Sequence, residues 1–199
     1  MKAKNNFQQN LVKEEEFESY SSKFLYHTLK TFSKKKKKIS IAFSGGSTPL
    51  PILGLLKEYK LFWENFNFYM VDERNVPISN SSSNFGNIEK VFLRHVNSFC
   101  HSMINENCSI ENCATKYEKL LLSKIPLGKN NVPVFDLILL GIGDDGHTAS
   151  LFPDTEGLNE NKKLVIRNYV PQLKTDRITF TYPLILNASK IIILAKGAA

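Results

Sequence analysis

The chain has 199 residues, 42% hydrophobic and 23% charged, an ordinary balance for one globular domain with a sizeable core. Its formal net charge is +7, but Lys34 to Lys38 supply five of those charges, and one block of like charge reads as a solvated loop rather than a nucleic-acid face. Cys100, Cys108 and Cys113 have no CxxC pair and with His101 match no common zinc spacing, "MKAKNNFQQN" lacks the apolar segment of a secretory signal, and no apolar run approaches the ~20 residues of a membrane span.

The expectation is therefore a soluble cytoplasmic protein with reduced thiols and no nucleic-acid or membrane partner. Along the chain, Phe17, Tyr20, Phe24, Leu25 and Leu29 recur at helical spacing and predict a helix over 14–32, ending at the lysine run. Residues 39–43, "ISIAF", predict a strand, "SGGSTP" breaks it, and a helix resumes over 50–59 behind Pro49. A second strand is predicted over 65–71, ending in Asp72-Glu73-Arg74. A helix is predicted over 85–96, an irregular stretch over 97–112 and a further helix over 114–124.

The nearly continuous apolar run 134–142 predicts a strand covered on both faces. Strands follow at 163–167, 177–181 and 190–195, with a short helix in "YPLILNAS". Strands alternating with helical segments argue for an α/β protein with a parallel sheet, without a second domain or an internal repeat.

Three stretches carry candidate chemistry. In "SGGSTP", Gly45 and Gly46 let an anion approach the backbone, while Ser47 and Thr48 add donors at a helix start. The residues alone leave an ordinary capped helix equally open, and the absence of a P-loop ending or a GxGxxG pattern disfavours a nucleotide. Arg74 follows a strand, where a guanidinium faces the crevice at a sheet's carboxyl edge; it either clamps a phosphate or pairs with Asp72 or Glu73. In "LGIGDDGHTASLFPD", His147 sits among glycines at a strand end beside Asp144 and Asp145. An imidazole there accepts a proton from water near neutral pH, with Asp145 two residues back to orient it. The bland alternative is a glycine loop whose histidine bonds to backbone. His27 and His95 fall on helical patterns and His101 in a polar loop. No GxSxG elbow or Cys–His pair indicates a covalent nucleophile, so water is the attacking group, and one His among acids is too few ligands for a metal.

"GGSTP", "DERNVP" followed by "SNFG", and "LGIGDDGHTASLFPD", in this order and spacing, resemble the 6-phosphogluconolactonase family from about residue 39 onward. The resemblance implies a Rossmann-like parallel sheet flanked by helices, the fold of glucosamine-phosphate deaminases, ribose-phosphate isomerases and CoA transferases. It implies hydrolysis of 6-phospho-D-glucono-1,5-lactone in the oxidative pentose phosphate pathway, without metal or cofactor. It makes His147 the base, Asp145 its neighbour, and Gly45, Gly46, Ser47, Thr48 and Arg74 the phosphate cradle, with Asp72 a further substrate contact.

"VPQLKTDRITFT" resembles the family's Lys-then-Arg segment and implies Lys174 and Arg177 as cationic contacts, although Leu173 and Thr175 replace the prolines that usually flank the Lys. The family continues past "AKGAA" with a Lys and a closing helix, so the expectation is one domain over 1–199 lacking its C-terminal end. Some relatives are fused to glucose-6-phosphate dehydrogenase, which makes fusion to or association with that enzyme the partner expectation. A deaminase or isomerase of the same fold would carry a carboxylate where Ser150 and Leu151 stand. The remaining alternatives are a non-catalytic sugar-phosphate sensor and a basic nucleic-acid module resting on the lysine run.

Overall fold

A computed structural model describes residues 7–197. The first six residues of the stretch read for a signal, and the last two of "AKGAA", lie outside these.

Helix α1 (Phe17–Ser33) buries Leu25 and Leu29 of the face its spacing predicts, together with Ser21 and Ser22, while Phe17 and Phe24 are half-buried and Tyr20 is exposed. Strand β1 (Ile39–Phe43) is buried along its whole length, and β2 (Phe66–Met70) and β5 (Leu137–Gly141) nearly so, as continuous apolar runs require in a sheet covered on both faces. With β4 (Phe99–His101) and β8 (Ile191–Leu194) they form a parallel sheet in the order β4-β2-β1-β5-β8. Ile39 to Phe43 pair with Phe66 to Met70 on one side, and Ile41 to Phe43 pair with Leu137 to Leu139 on the other. The chain leaves β1 in one direction for β2 and β4, then returns to build β5 and β8. The strand order therefore reverses between β1 and β5, where open α/β sheets form a crevice at their carboxyl edge.

The other helices are α2 (Pro49–Leu56), α3 (Asn84–Val91), α4 (Ile110–Lys124) and the short α5 (Tyr182–Ile185). α3 stops at Phe92, whose φ of −135° is not helical, and 3-10 turn Leu93–His95 completes the stretch read as one helix. The expectation of irregular chain over 97–112 is corrected at two places. Residues Phe99 to His101 pair with Asn67 to Tyr69 as an edge strand, and α4 begins at Ile110 behind Ser109, whose hydroxyl accepts from Asn112 N. Consequently His101 is a half-buried strand residue, stacked on Tyr69, rather than part of a polar loop.

A second correction concerns the segments near 165 and 178. Strands β3 (Asp72–Arg74), β6 (Val165–Val170) and β7 (Thr175–Phe180) form a separate antiparallel sheet in the order β3-β7-β6. Only the turn Pro171–Leu173 and Lys174, at a left-handed φ of 48°, join β6 to β7. A parallel pair needs a crossover of about a dozen residues or more, so a connection this short dictates a hairpin. β3 leaves β2 after the single residue Val71, whose carbonyl accepts from Phe180 N, so this sheet grows from the carboxyl end of the parallel one.

One lysine of the basic run has a structural role at the opposite edge. Lys36 Nζ lies 2.5 Å from Oδ1 of buried Asp136, whose Oδ2 accepts from Ser40 N. Asp136→Ala leaves that buried N–H unpaired and is expected to lower stability by about 1–3 kcal/mol, read from thermal melts.

Candidate active site

Four segments meet at the carboxyl edge. The turn 44–48 leaves β1 beside β5, with Ser44 N donating to Leu139 O at 2.9 Å, and the loop 142–148 leaves β5 next to it. Neighbouring strands stand about 4.8 Å apart, so the glycine turn and the histidine loop start side by side on one edge of the sheet.

In the turn, Gly46 has a φ of +103°, a conformation that favours glycine, and Thr48 begins the helical backbone of α2. Gly45 is required for space: a β-carbon there would fall on the side chain of Asn84. Asn84 is buried, donates from Nδ2 to Asp72 O at 3.0 Å, and keeps its buried Oδ1 unpaired. Gly45→Ala therefore has to displace Asn84. Overpacking of this kind costs about 1–3 kcal/mol, which thermal melts measure, and affinity for inorganic phosphate is expected to fall with it.

Arg74 and Arg177 are directly opposed across the β3–β7 pair, which sets both side chains on one face. Among the described residues, Nε of each is buried and unpaired, and Arg74 donates from Nη1 to Ser82 O at 2.6 Å. Burial first, and then the Arg74 charge, lower the Arg177 pKa. Two guanidiniums forced together with free donors make a site for an anion of more than one charge. The surface pairing of Arg74 with Asp72 or Glu73 does not occur among the described residues, because both acids are engaged inward. Buried Asp72 accepts from Ser150 Oγ at 2.7 Å rather than opening onto the crevice. Buried Glu73 accepts from Asn84 N, Phe85 N and Ser83 Oγ, supplying a carboxyl to the N-terminus of α3. Burial raises the Glu73 pKa against the lowering effect of those backbone donors.

His147 is held by its own loop. Nδ1 lies 2.5 Å from Asp145 Oδ1, which also accepts from His147 N at 3.1 Å. Gly143 N donates to His147 O, Gly146 N to Gly143 O, and Thr148 Oγ1 to Gly141 O. Gly146 turns at a φ of +82° and Ala149 at +55°. With Nδ1 facing the carboxylate, Nε2 is the nitrogen left for a proton. The imidazole stacks on Phe152 with centroids 3.8 Å apart, and the Arg177 guanidinium lies 5.9 Å from the same ring. The imidazole and the Arg177 guanidinium thus both lie against one phenyl ring.

The hydrogen bond from His147 holds the Asp145 carboxyl below its ordinary range. A depressed carboxyl contributes stability above its unfolded pKa and loses it as pH falls through the folded value. A carbon-detected NMR titration of Asp145 is expected to give a midpoint below about 3.9, rising toward that value in His147→Ala.

Lys174 is exposed at the β6–β7 turn, which Gln172 ties to the segment after Phe152 by donating to Pro153 O at 3.1 Å. No contact joins Lys174 to His147 or Arg177 among the described residues. It stands three residues along the strand from Arg177, roughly 10 Å at an extended rise. The sequence marks neither Asn84 nor Phe152, offers Glu73 only as an ion partner of Arg74, and offers Ser150 only as the place of a missing carboxylate. Ser83 as a helix cap in "SNFG", followed by no acid in the first turn of α3, was the available hint that a carboxylate comes from elsewhere. Among the described residues no three His, Cys, Asp or Glu side chains converge as a metal would require, and no helix is long and apolar enough to cross a membrane.

An open parallel sheet with a glycine turn and a carboxylate-paired histidine at its switch point defines a Rossmann-like α/β protein with its site at the carboxyl edge. The family described as glucosamine-6-phosphate isomerases/6-phosphogluconolactonase matches residues 13–199, and the chain belongs to it. Among similar curated proteins, the 6-phosphogluconolactonase of Synechocystis is 38% identical over 164 residues, 80% of this chain and 67% of that protein. That of Chlamydia pneumoniae is 34% identical over 82% of this chain and 62% of its own length, so the chain spans under two thirds of that relative. The solved 6-phosphogluconolactonase structure from Trypanosoma brucei superposes with a TM-score of 0.84 at 28% identity, covering 95% of this chain and 81% of that one. The one from Thermotoga maritima gives 0.82 at 27% identity, covering 92% and 81%.

Proposed function

We propose that the chain hydrolyses 6-phospho-D-glucono-1,5-lactone to 6-phosphogluconate, with water as nucleophile and residues 1–199 acting within one domain. The observation that carries this reading is the Asp145–His147 pair stacked on Phe152, with the Arg177 guanidinium against the same ring and Arg74 opposite Arg177 in the strand pair, both arginines keeping a buried Nε unpaired among the described residues. The phosphate is held by the turn at Gly45, Gly46, Ser47 and Thr48 with Arg74 and Arg177, and Lys174 adds positive charge at the rim. Anchoring the far end of the sugar fixes its carbonyl near His147 and turns an encounter into a positioned reaction.

His147 Nε2 takes a proton from water as its oxygen bonds to C1, and the carbonyl electrons move to an oxyanion stabilised by the N–H groups of the 142–146 loop that are not engaged within it, those of Gly143 and Gly146 being bonded to His147 O and Gly143 O. Collapse re-forms the carbonyl and breaks the bond to the ring oxygen, which receives the proton from His147. Asp72 takes no part in this scheme as a substrate ligand; it ties Ser150, just beyond the histidine loop, to Asn84, whose side chain lies against Gly45.

Ser150 and Leu151, where a deaminase or isomerase would carry a carboxylate, are fully or nearly fully buried, which supports lactone hydrolysis over sugar amine chemistry. Proton release from the phosphorylated lactone against ammonia release from glucosamine 6-phosphate separates the two: the first is expected, and the second alone would replace this reading. A sensor would bind 6-phosphogluconate and leave the lactone at its spontaneous rate. The same reading places the chain in the cytoplasm, in the oxidative pentose phosphate pathway, beside glucose-6-phosphate dehydrogenase as fused or associated partner.

A further inference from the structure

The imidazole of His147 is enclosed on three sides, and only one of them is the carboxylate. A β-carbon added at Gly143 would fall on Cε1 and Nδ1, so the bare Cα of Gly143 lies against that edge of the ring. The φ of Gly143 is not among the left-handed ones, so its requirement there is for space and not for backbone freedom. The face of the ring is covered by Phe152, at 3.8 Å and an interplanar angle of 19°.

Phe152 is itself fixed. It is 7% exposed, and its carbonyl accepts from Thr155 Oγ1 at 2.7 Å. Two residues earlier, fully buried Ser150 donates from its N–H to Thr179 Oγ1 and from Oγ to Asp72, and its carbonyl accepts from Asn168 Nδ2. The chain carrying the phenyl ring is thereby pinned to both β6 and β7, so the backbone cannot carry the ring away without breaking buried hydrogen bonds, and burial restricts the ring's own rotation.

We propose that Phe152 and Gly143 are positioning residues for His147, forming a slot that fixes the imidazole plane so that Nε2 faces the attacking water. This deepens the lactonase reading and rests on His147 being its base. Stacking favours offset, near-parallel rings over a freely rotating one, and misplacement of a reacting group by about 1 Å costs on the order of a hundredfold in rate.

The test compares Phe152→Leu, Phe152→Tyr and Gly143→Ala with the native chain, using imidazole proton NMR, steady-state kinetics on the phosphorylated lactone and a thermal melt for each. In the native chain the ring current of Phe152 is expected to shift the His147 ring protons upfield. Phe152→Leu abolishes that shift and lowers kcat roughly ten- to a hundredfold with little change in KM, while Phe152→Tyr keeps both. Gly143→Ala moves the His147 resonances and lowers kcat, and it decides the matter if Phe152→Leu does not fold. Unshifted His147 resonances in the native chain, or native kcat in a folded Phe152→Leu, would overturn the slot. A native chain without lactonase activity but with the upfield shift strikes the lactonase reading while supporting the slot geometry.

Discussion

His147→Ala is expected to lower kcat for the phosphorylated lactone by roughly 10²- to 10⁴-fold, the usual contribution of a positioned general base. KM is expected to change little, because in the proposed scheme the imidazole acts on water and on the ring oxygen rather than on the phosphate. The variant is expected to fold, since the histidine is partly exposed and its hydrogen-bond partner Asp145 is 43% exposed on its side chain. Losing the base leaves the anion site intact, so inorganic phosphate should compete as before. A kcat within about threefold of native would remove His147 from the chemistry and leave the cleft as a binding site only.

Arg74→Ala is expected to act on the other parameter. A charge-assisted hydrogen bond to a phosphate contributes about 1.5–3 kcal/mol, equivalent to roughly a ten- to hundredfold rise in KM, with kcat changing much less. Arg74→Lys restores the charge but not the fork, and since Arg74 also donates to Ser82 O its recovery is expected to be partial. Relief of the like charge beside Arg177 offsets part of the loss, so steady-state KM and phosphate inhibition should be measured together. A rise in KM for phosphorylated and unphosphorylated lactones alike would show that Arg74 supports the fold of the crevice and not the phosphate.

What was legible in the sequence is what depends on short range. The buried strand β5 shows as an unbroken apolar run, and β1 and β2 as largely apolar ones interrupted by Ser40 and Asn67, because both faces of the sheet are covered. The glycine turn and the loop around His147 show because a change of direction at a strand end needs residues that permit it. Strand β4 did not show, since a three-residue edge strand with Phe99 and Cys100 exposed has no alternation to read. The antiparallel sheet was also hidden: nothing local in "DER" says that its partner lies a hundred residues away, although the turn at Pro171–Leu173 could have indicated a hairpin.

The site was legible as a set of residues more than as an arrangement. Asp145 and His147 are close in sequence, and their hydrogen bond follows from that spacing. The meeting of Arg74 with Arg177 depends on strand register, and the approach of Arg177 to His147 runs through Phe152, an apolar residue with no chemistry of its own to mark it. Asp72 reads from the sequence as a charge at a strand end open to substrate. The structure turns it toward Ser150, because β3 enters the second sheet and carries that side chain inward.

The most direct measurement is the rate of proton release from 6-phospho-D-glucono-1,5-lactone and from unphosphorylated glucono-1,5-lactone, each read above its spontaneous hydrolysis. A phosphate-anchored base predicts kcat/KM at least about a hundredfold higher for the phosphorylated lactone, a preference that Arg74→Ala erodes. Equal acceleration of both lactones, or no acceleration of either by the folded protein, would contradict it.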